Sequence, residues 1–155
     1  MNITGIDINS KAVELANLNA KKILNKSQLE CLTFKEASFN LLFDIDNNTY
    51  FDTKYDIIVS NPPYISLKEK YKFQKDLMYE SNLALYSGED GLDLIKDIII
   101  KSKRLLNLNG VVILEVGYDQ KDLIFDLLLY NRISNFYFEK DLFGIERFVV
   151  FYPNK

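Results

Sequence analysis

The sequence predicts an α/β fold built around a largely parallel sheet, and three observations favour this class. Strand-like apolar segments alternate with segments of helical period along the chain. The β-branched run from Tyr55 to Ser60 stops abruptly at Asn61-Pro62-Pro63-Tyr64, as a buried parallel strand does at its carboxyl end. Apolar residues make up 48% of the 155 residues, which is enough for the core of one domain.

The first third of the chain contains the pattern strand, helix, strand. Ile3 to Ile8 is predicted as a short strand, and Asn9 or Ser10 can cap the helix that follows it. Residues 29–34 are predicted as the second strand, and residues 38–53 as an irregular stretch. The predicted helix has one apolar face, formed by Val13, Ala16, Ala20, Ile23 and Leu24.

Residues 55–60 form the next predicted strand, and a long polar and aromatic loop over residues 65–90 follows it. A loop of that length in a compact domain is usually functional. Gly88-Glu89-Asp90-Gly91 then opens a helix that is expected to end at Asn109-Gly110. The inward side chains of this helix are predicted to be Leu92, Ile95, Ile99 and Leu106.

The remaining segments complete the predicted sheet. Val111 to Val116 is a further buried strand, and a helix follows near residues 119–131. The last two strands are expected near residues 133–138 and 146–152. The short connection between them favours a hairpin, so the final strand is predicted to be antiparallel.

Composition excludes several function classes. The net charge of −3 and the isoelectric point near 5.1 provide no basic field, so no direct nucleic-acid partner is expected. The absence of histidine removes histidine-based triads and most zinc sites, and no metal is expected. The single cysteine, Cys31, is interpreted as a small core residue rather than a nucleophile. No secretory or membrane-spanning segment is apparent, so a cytoplasmic protein with no membrane partner is expected.

Asn61-Pro62-Pro63-Tyr64 carries the clearest chemical signal, because ligands of open α/β sheets bind where strands end. The tetrapeptide suits methylation of a planar amide or amino nitrogen, a poor nucleophile that two carbonyl oxygens could hold and orient. Asn61 offers a side-chain carbonyl, Pro62 a backbone carbonyl, and Tyr64 a flat face. A plain Pro-Pro turn that closes a strand is the structural alternative.

Three further groups are candidates for a site. Asp7 ends the first strand, where an acid can accept hydrogen bonds from ribose hydroxyls, although turn or helix-start residues are common there too. The glycines of Gly88-Glu89-Asp90-Gly91 permit positive φ or close backbone approach. Glu115 lies inside an apolar strand and needs a partner, for which Arg147, Lys140 and backbone amides are the candidates.

Taken in order, these segments resemble the bacterial release-factor glutamine N5-methyltransferases, the HemK-type branch of the S-adenosylmethionine-dependent enzymes. Asn-Pro-Pro-Tyr is shared with methyltransferases that act on nucleic acids. The Gly-Glu-Asp-Gly-Leu and Asp-Leu-Phe-Gly-Ile-Glu-Arg stretches are more specific to this branch. The matching stretches are Gly5-Ile6-Asp7-Ile8, Asn61-Pro62-Pro63-Tyr64, Gly88-Glu89-Asp90-Gly91-Leu92, Leu114-Glu115-Val116-Gly117 with Gln120, and Asp141-Leu142-Phe143-Gly144-Ile145-Glu146-Arg147.

The resemblance implies a class I methyltransferase fold with a reversed last strand. It also implies that Asn61 and Pro62 are catalytic, and that with Pro63 and Tyr64 they hold the glutamine of a Gly-Gly-Gln loop in a release factor. S-adenosylmethionine is the implied cofactor, contacted by Asp7, Asn61 and Ser38, of which Ser38 stands where the family often has an acid near the adenine.

The resemblance further implies that residues 1–155 are the carboxyl-terminal part of a single methyltransferase catalytic domain. The chain begins where the family's first strand and Gly-rich loop should already have ended, so we expect both to be lacking. An upstream fragment of the same enzyme is therefore a possible partner, beside the release factor itself. The alternatives are a ribosomal-protein glutamine methyltransferase, a nucleic-acid amino-methyltransferase, and a non-catalytic remnant or half of a split protein.

Overall fold

The computed structural model describes residues 1–39, 54–66 and 87–155, which belong to two compact units. The first unit spans Met1–Tyr50 and the second spans Phe51–Lys155. Residues 40–53 of the predicted irregular stretch (38–53) and residues 67–86 of the predicted loop (65–90) lie outside the described residues.

The described part of the first unit, residues 1–39, contains two parallel strands and two helices. These elements are β1 (Ile3–Asp7), α1 (Ser10–Ile23), α2 (Lys26–Leu29) and β2 (Leu32–Glu36). Strands β1 and β2 pair in parallel from Ile3 opposite Leu32 to Asp7 opposite Glu36. The prediction of a strand over residues 29–34 is wrong at its start, because Asn25 caps a short helix there with a reciprocal pair of hydrogen bonds to Gln28.

Helix α1 begins as the sequence predicts, with the Asn9 side chain accepting a hydrogen bond from the Lys11 backbone amide. Its predicted apolar face is half-buried except at Ile23, which is exposed. None of residues 1–39 is fully buried, and Cys31, predicted as a core residue, is only half-buried.

Within residues 54–66 and 87–155, the second unit forms a four-stranded mixed sheet with two helices. Its elements, in chain order, are β3 (Tyr55–Ser60), α3 (Asp93–Leu105), β4 (Leu106–Glu115), α4 (Lys121–Tyr130), β5 (Phe136–Lys140) and β6 (Glu146–Phe151). The strand order is β3-β4-β6-β5, in which β3 and β4 are parallel. Strand β6 is antiparallel to both β4 and β5, which confirms the predicted hairpin and reversed last strand.

Helix α3 ends earlier than predicted, at Leu105 instead of Asn109-Gly110. Leu106 has extended backbone geometry and is fully buried, so the chain passes directly from the helix into β4. The Asn154 side-chain amide donates to the backbone carbonyls of Lys103 and Leu106, at 3.0 and 3.2 Å, and so partners carbonyls at the helix end. This contact stabilises an ending that the local sequence does not predict.

Strand β3 has the predicted bounds but not the predicted burial. Ile57 is 56% exposed and Val59 is 71% exposed, although the apolar run was predicted as a buried strand. In the described part of the chain β3 hydrogen-bonds only to β4, so it lies at the edge of the described four-stranded sheet.

The core of the second unit lies between the two helices and the central strands. All four predicted inward residues, Leu92, Ile95, Ile99 and Leu106, are buried. The rest of the core comes from both helices, strands β4 and β6, and the segments beside them: Ile98, Leu105, Val112, Leu114, Val116, Ile124, Leu128, Ile133, Val149, Val150 and Phe151. Among the described helices, none has the length and apolar character needed to cross a membrane.

We predict that Ile99→Ala lowers the free energy of unfolding by about 2–5 kcal/mol, because it leaves a cavity in this core. The neighbouring change Ile100→Ala is the matched control, since Ile99 is 0% exposed and Ile100 is 54% exposed in the same helix. Both variants gain the same helix propensity, so the difference between their urea midpoints reports burial. Equal midpoints would contradict the position of the core.

Candidate active site

Asn61-Pro62-Pro63-Tyr64 follows β3 directly, at the carboxyl end of the parallel pair β3 and β4. The Asn61 side chain is exposed, Pro62 is buried, and Pro63 and Tyr64 are half-buried. In the described residues, no hydrogen bond occupies the Asn61 side chain, so its carbonyl oxygen is available to an incoming ligand. Each proline ring fixes its own φ and keeps the preceding residue extended, which makes this segment stiff.

The ring of Tyr64 is held by an acid and a base from the neighbouring strands. The guanidinium carbon of Arg147 lies 5.6 Å from the centre of the ring, and Arg147 Nη2 is 3.4 Å from the hydroxyl oxygen. The Tyr64 hydroxyl is 3.5 Å from Glu115 Oε1, to which it can donate. Arg147 Nη2 is also 3.7 Å from the same carboxylate oxygen, so the predicted partner of Glu115 is confirmed.

The backbone after Pro63 lies against Gly91 and Gln120. A Cβ atom at Gly91 would fall 2.2 Å from the carbonyl oxygen of Tyr64, and Gly91 has a φ of +74°. The close approach and positive φ that the sequence predicts are therefore both present at this glycine. The Gln120 side-chain amide donates to the same Tyr64 carbonyl at 3.0 Å.

The turn from Gly88 to Gly91 leads into α3 and is closed by Asp90. One carboxylate oxygen of Asp90 accepts from the Leu92 backbone amide at 3.0 Å, and the other forms an ion pair with Lys96 at 2.9 Å. The Lys96 hydrogen bond, helped by the Leu92 amide and opposed by partial burial, lowers the pKa of Asp90 below its usual value. Asp90 therefore stabilises the turn that leads into α3.

Asp7 and Ser38 lie in the first unit, at the carboxyl edge of its parallel pair of strands. Asp7 is exposed, and its Oδ1 accepts from the Asn9 backbone amide at 2.8 Å, which is the helix-start role considered for it. The Ala37 amide donates to the Asp7 carbonyl at 3.0 Å, so Ser38 follows directly at the same edge. No described residue hydrogen-bonds to the second carboxylate oxygen of Asp7, so the geometry suits an acceptor for ribose hydroxyls.

The predicted site residues therefore form two groups, one in each unit. Asn61, Pro62, Pro63 and Tyr64 are consecutive in the second unit, whereas Asp7 and Ser38 belong to the first. The meeting of the two groups around one ligand stays a prediction.

Comparison with known proteins assigns this sequence to a family. Residues 1–115, which include Asp7 and the whole Asn61–Tyr64 segment, match the model of the family described as Eco57I restriction-modification methylase. The chain belongs to this methylase family.

Named relatives match further along the chain. A release factor glutamine methyltransferase of Fusobacterium nucleatum is 38% identical over 149 residues, covering 96% of this chain and 39% of that protein. Another from Streptococcus pneumoniae is 35% identical over 153 residues, covering 96% of this chain and 49% of that protein. A ribosomal protein uL3 glutamine methyltransferase of Francisella tularensis is 37% identical over 119 residues, covering 77% of this chain and 35% of that protein. The predicted resemblance to glutamine methyltransferases is confirmed.

Solved structures confirm the predicted class I methyltransferase fold. TrmN from Thermus thermophilus aligns with a TM-score of 0.58 and 20% identity, covering 97% of this chain and 36% of that chain. A ribosomal protein L11 methylase from Lactobacillus delbrueckii aligns with a TM-score of 0.55 and 18% identity, covering 97% of this chain and 55% of that chain. The chain thus spans less than half the length of the curated relatives named above.

Sequence reasoning missed two of the contacts that shape this site. It did not place Arg147 against the Tyr64 ring, and it gave no role to Gln120. A signal for Gln120 is its position directly before the apolar helix α4, together with Gly117, whose backbone amide donates to its side-chain oxygen at 2.9 Å.

We predict that the pKa of Asp90 lies below its ordinary value of 3.8 in the folded chain and rises in Lys96→Met. Because the pKa of Asp90 is lower in the folded chain, its ionised carboxylate stabilises the folded state at pH values above the unfolded pKa. This stabilisation is lost as the pH falls through the folded pKa. A carbon-detected NMR titration of the Asp90 carboxyl measures this pKa in the parent chain and in Lys96→Met. Lys101→Met, which removes the separate Lys101–Asp97 pair, is the control and should leave Asp90 unchanged. An Asp90 titration that is the same with and without Lys96 would contradict this assignment.

Proposed function

We propose that this chain acts in the S-adenosylmethionine-dependent N5-methylation of glutamine in the Gly-Gly-Gln loop of peptide chain release factors. The observation that carries the proposal is the exposed side chain of Asn61 at the end of β3, beside the stiff Pro62-Pro63 segment; no described residue hydrogen-bonds to that side chain. The named relatives support the protein substrate, because two release factor glutamine methyltransferases align over 96% of the chain.

The residues of the Asn61–Tyr64 segment can bind and orient a carboxamide. The Asn61 side-chain oxygen and the Pro62 backbone oxygen would accept hydrogen bonds from the two amide hydrogens of glutamine. Holding these hydrogens directs the nitrogen lone pair and lowers the barrier mainly by alignment. The Tyr64 ring, held by Arg147 and Glu115, provides a flat surface beside the amide.

S-adenosylmethionine, when bound, supplies an electrophilic methyl group. In this chain Asp7 is suited to accept hydrogen bonds from its ribose hydroxyls, Ser38 to contact the adenine, and Asn61 to border the methyl end. We propose that both units form the carboxyl-terminal part of one methyltransferase catalytic domain, because the chain spans less than half the length of the curated relatives it matches. A release factor as substrate places the protein in the cytoplasm.

Two other substrates have some support. The uL3 glutamine methyltransferase relative favours a ribosomal protein, and it would use the same amide-binding residues. The family name favours DNA, but its match ends at residue 115, before the hairpin of β5 and β6. The release factor relatives align over 96% of the chain, so their alignments reach beyond that point. The acidic net charge of −3 also disfavours a polyanionic substrate.

A tritiated methyl transfer assay with three substrates tests the proposal. The chain is used alone and as a chimera that carries the amino-terminal part of the Fusobacterium nucleatum relative. We expect label on a release factor, on its Gly-Gly-Gln glutamine, and none when that glutamine is changed to alanine. If label appears only on uL3, or only on duplex DNA, the release factor is not the substrate and the labelled molecule is.

In the same chimera, we predict that Asn61→Ala lowers kcat by about 10²–10³-fold, because one preorganised contact to the amide is lost. Asp7→Ala is the matched counterpart and should weaken cofactor binding by about 10–100-fold, the effect of losing a charge-assisted hydrogen bond. Steady-state kinetics and calorimetry separate the two. Near-normal turnover in Asn61→Ala, or unchanged cofactor affinity in Asp7→Ala, would remove the corresponding role.

A further inference from the structure

The side chain of Gln120 is buried and joins three distant stretches of the second unit. Gln120 is only 4% exposed and directly precedes α4, yet its side chain makes no capping bond to that helix. Its Nε2 atom instead faces the backbone carbonyls of Tyr64 at 3.0 Å, Gly91 at 3.4 Å and Asp90 at 3.5 Å. Its Oε1 atom accepts from the Gly117 amide at 2.9 Å.

These contacts satisfy the Gln120 amide in one orientation only. The two hydrogens of Nε2 meet three carbonyl oxygens, and the single oxygen meets an N–H group. Rotating the amide by half a turn would put its oxygen against carbonyls and its hydrogens against a donor. The glycines on either side leave space for this arrangement, since a Cβ at Gly91 or Gly117 would lie 2.9 Å from the Gln120 side chain.

The position of this contact matters because of the two prolines before it. Strand pairing fixes the segment at Ser60, which lies opposite Leu114 in β4. Gln120 fixes the Tyr64 carbonyl at the other end. Between these points the rings of Pro62 and Pro63 set φ at two residues, so few torsions remain free.

We propose that Gln120 is a positioning residue that sets the direction of the Asn61 side chain and the Pro62 carbonyl. It does so by clamping the Tyr64 peptide, and it does not touch the substrate itself. The clamp stands on the contacts alone, whereas its effect on methyl transfer rests on the function proposed above. The loss of alignment by about 1 Å costs on the order of 10²-fold in rate.

Two changes at Gln120 separate its donor and acceptor halves. Gln120→Glu keeps an oxygen for the Gly117 amide but places a carboxylate where the Tyr64 carbonyl needs a donor. Gln120→Met keeps the length and removes both halves without adding a charge. Gln28→Glu is the matched control, because the Gln28 side chain accepts from the Asn25 amide, and a glutamate can do the same.

The first measurement is ¹⁵N relaxation of the Tyr64 amide in the 155-residue chain, which needs no activity. We expect an order parameter near the rigid value of about 0.85 in the parent and Gln28→Glu, and below about 0.6 in both Gln120 variants. Where Gln120→Glu unfolds, as judged by its urea midpoint, Gln120→Met decides the result. A rigid Tyr64 in the folded variants would overturn the clamp.

The second measurement is the kinetics of methyl transfer in the chimera. We expect both Gln120 variants to lose on the order of 10²-fold in kcat, with KM for the protein and affinity for S-adenosylmethionine unchanged. Normal kcat with a mobile Tyr64 would overturn the positioning role. A parent that labels no substrate would refute the proposed function, while the relaxation result would still judge the clamp.

Discussion

The antiparallel position of β6 between β4 and β5 determines which residues can meet at the carboxyl edge of the four-stranded sheet. Because β6 runs against β4, its first residues lie where β4 ends, and Glu115 pairs with Phe148. The Val116 amide donates to the Arg147 carbonyl at 2.9 Å and continues this pairing past the strand. A parallel β6 would begin at the opposite edge, and Arg147 would be far from Tyr64. The chain reversal therefore brings a cation to the end of β3.

The candidate site is held in place by uncharged groups and by one ion pair whose charges balance. The carboxylate of Glu115 and the guanidinium of Arg147 balance each other in charge, each with a side chain about one-quarter exposed. The remaining constraints are proline rings, a glycine without a side chain, and a buried amide. None of these groups needs to gain or lose a proton, so the arrangement is suited to holding a substrate rather than to acid–base chemistry.

Sequence patterns predicted those parts of the structure that depend on neighbouring residues or on an unmet physical need. The run before Asn61 predicts β3 because β-branched residues and Pro-Pro act locally. The partner of Glu115 was predictable, since a carboxylate in an apolar strand requires one. The end of α3 was not, because Asn154 reaches its carbonyls from 51 and 48 residues away. The exposure of Ile57 and Val59 was also missed, since an apolar run does not reveal whether another element covers that face of its strand.

The long reach of Gln120 also has a consequence for the order in which the molecule folds. Its contact with Tyr64 spans 56 residues, and both α3 and β4 lie between the two ends. Contacts of such separation form only after the entropy of closing the intervening chain has been overcome. The pairing of Ser60 with Leu114 closes a loop of nearly the same length, so the β3–β4 pairing and the Gln120 contact share one cost in chain entropy. We therefore expect the Asn61–Tyr64 segment and the β3–β4 pairing to become ordered together.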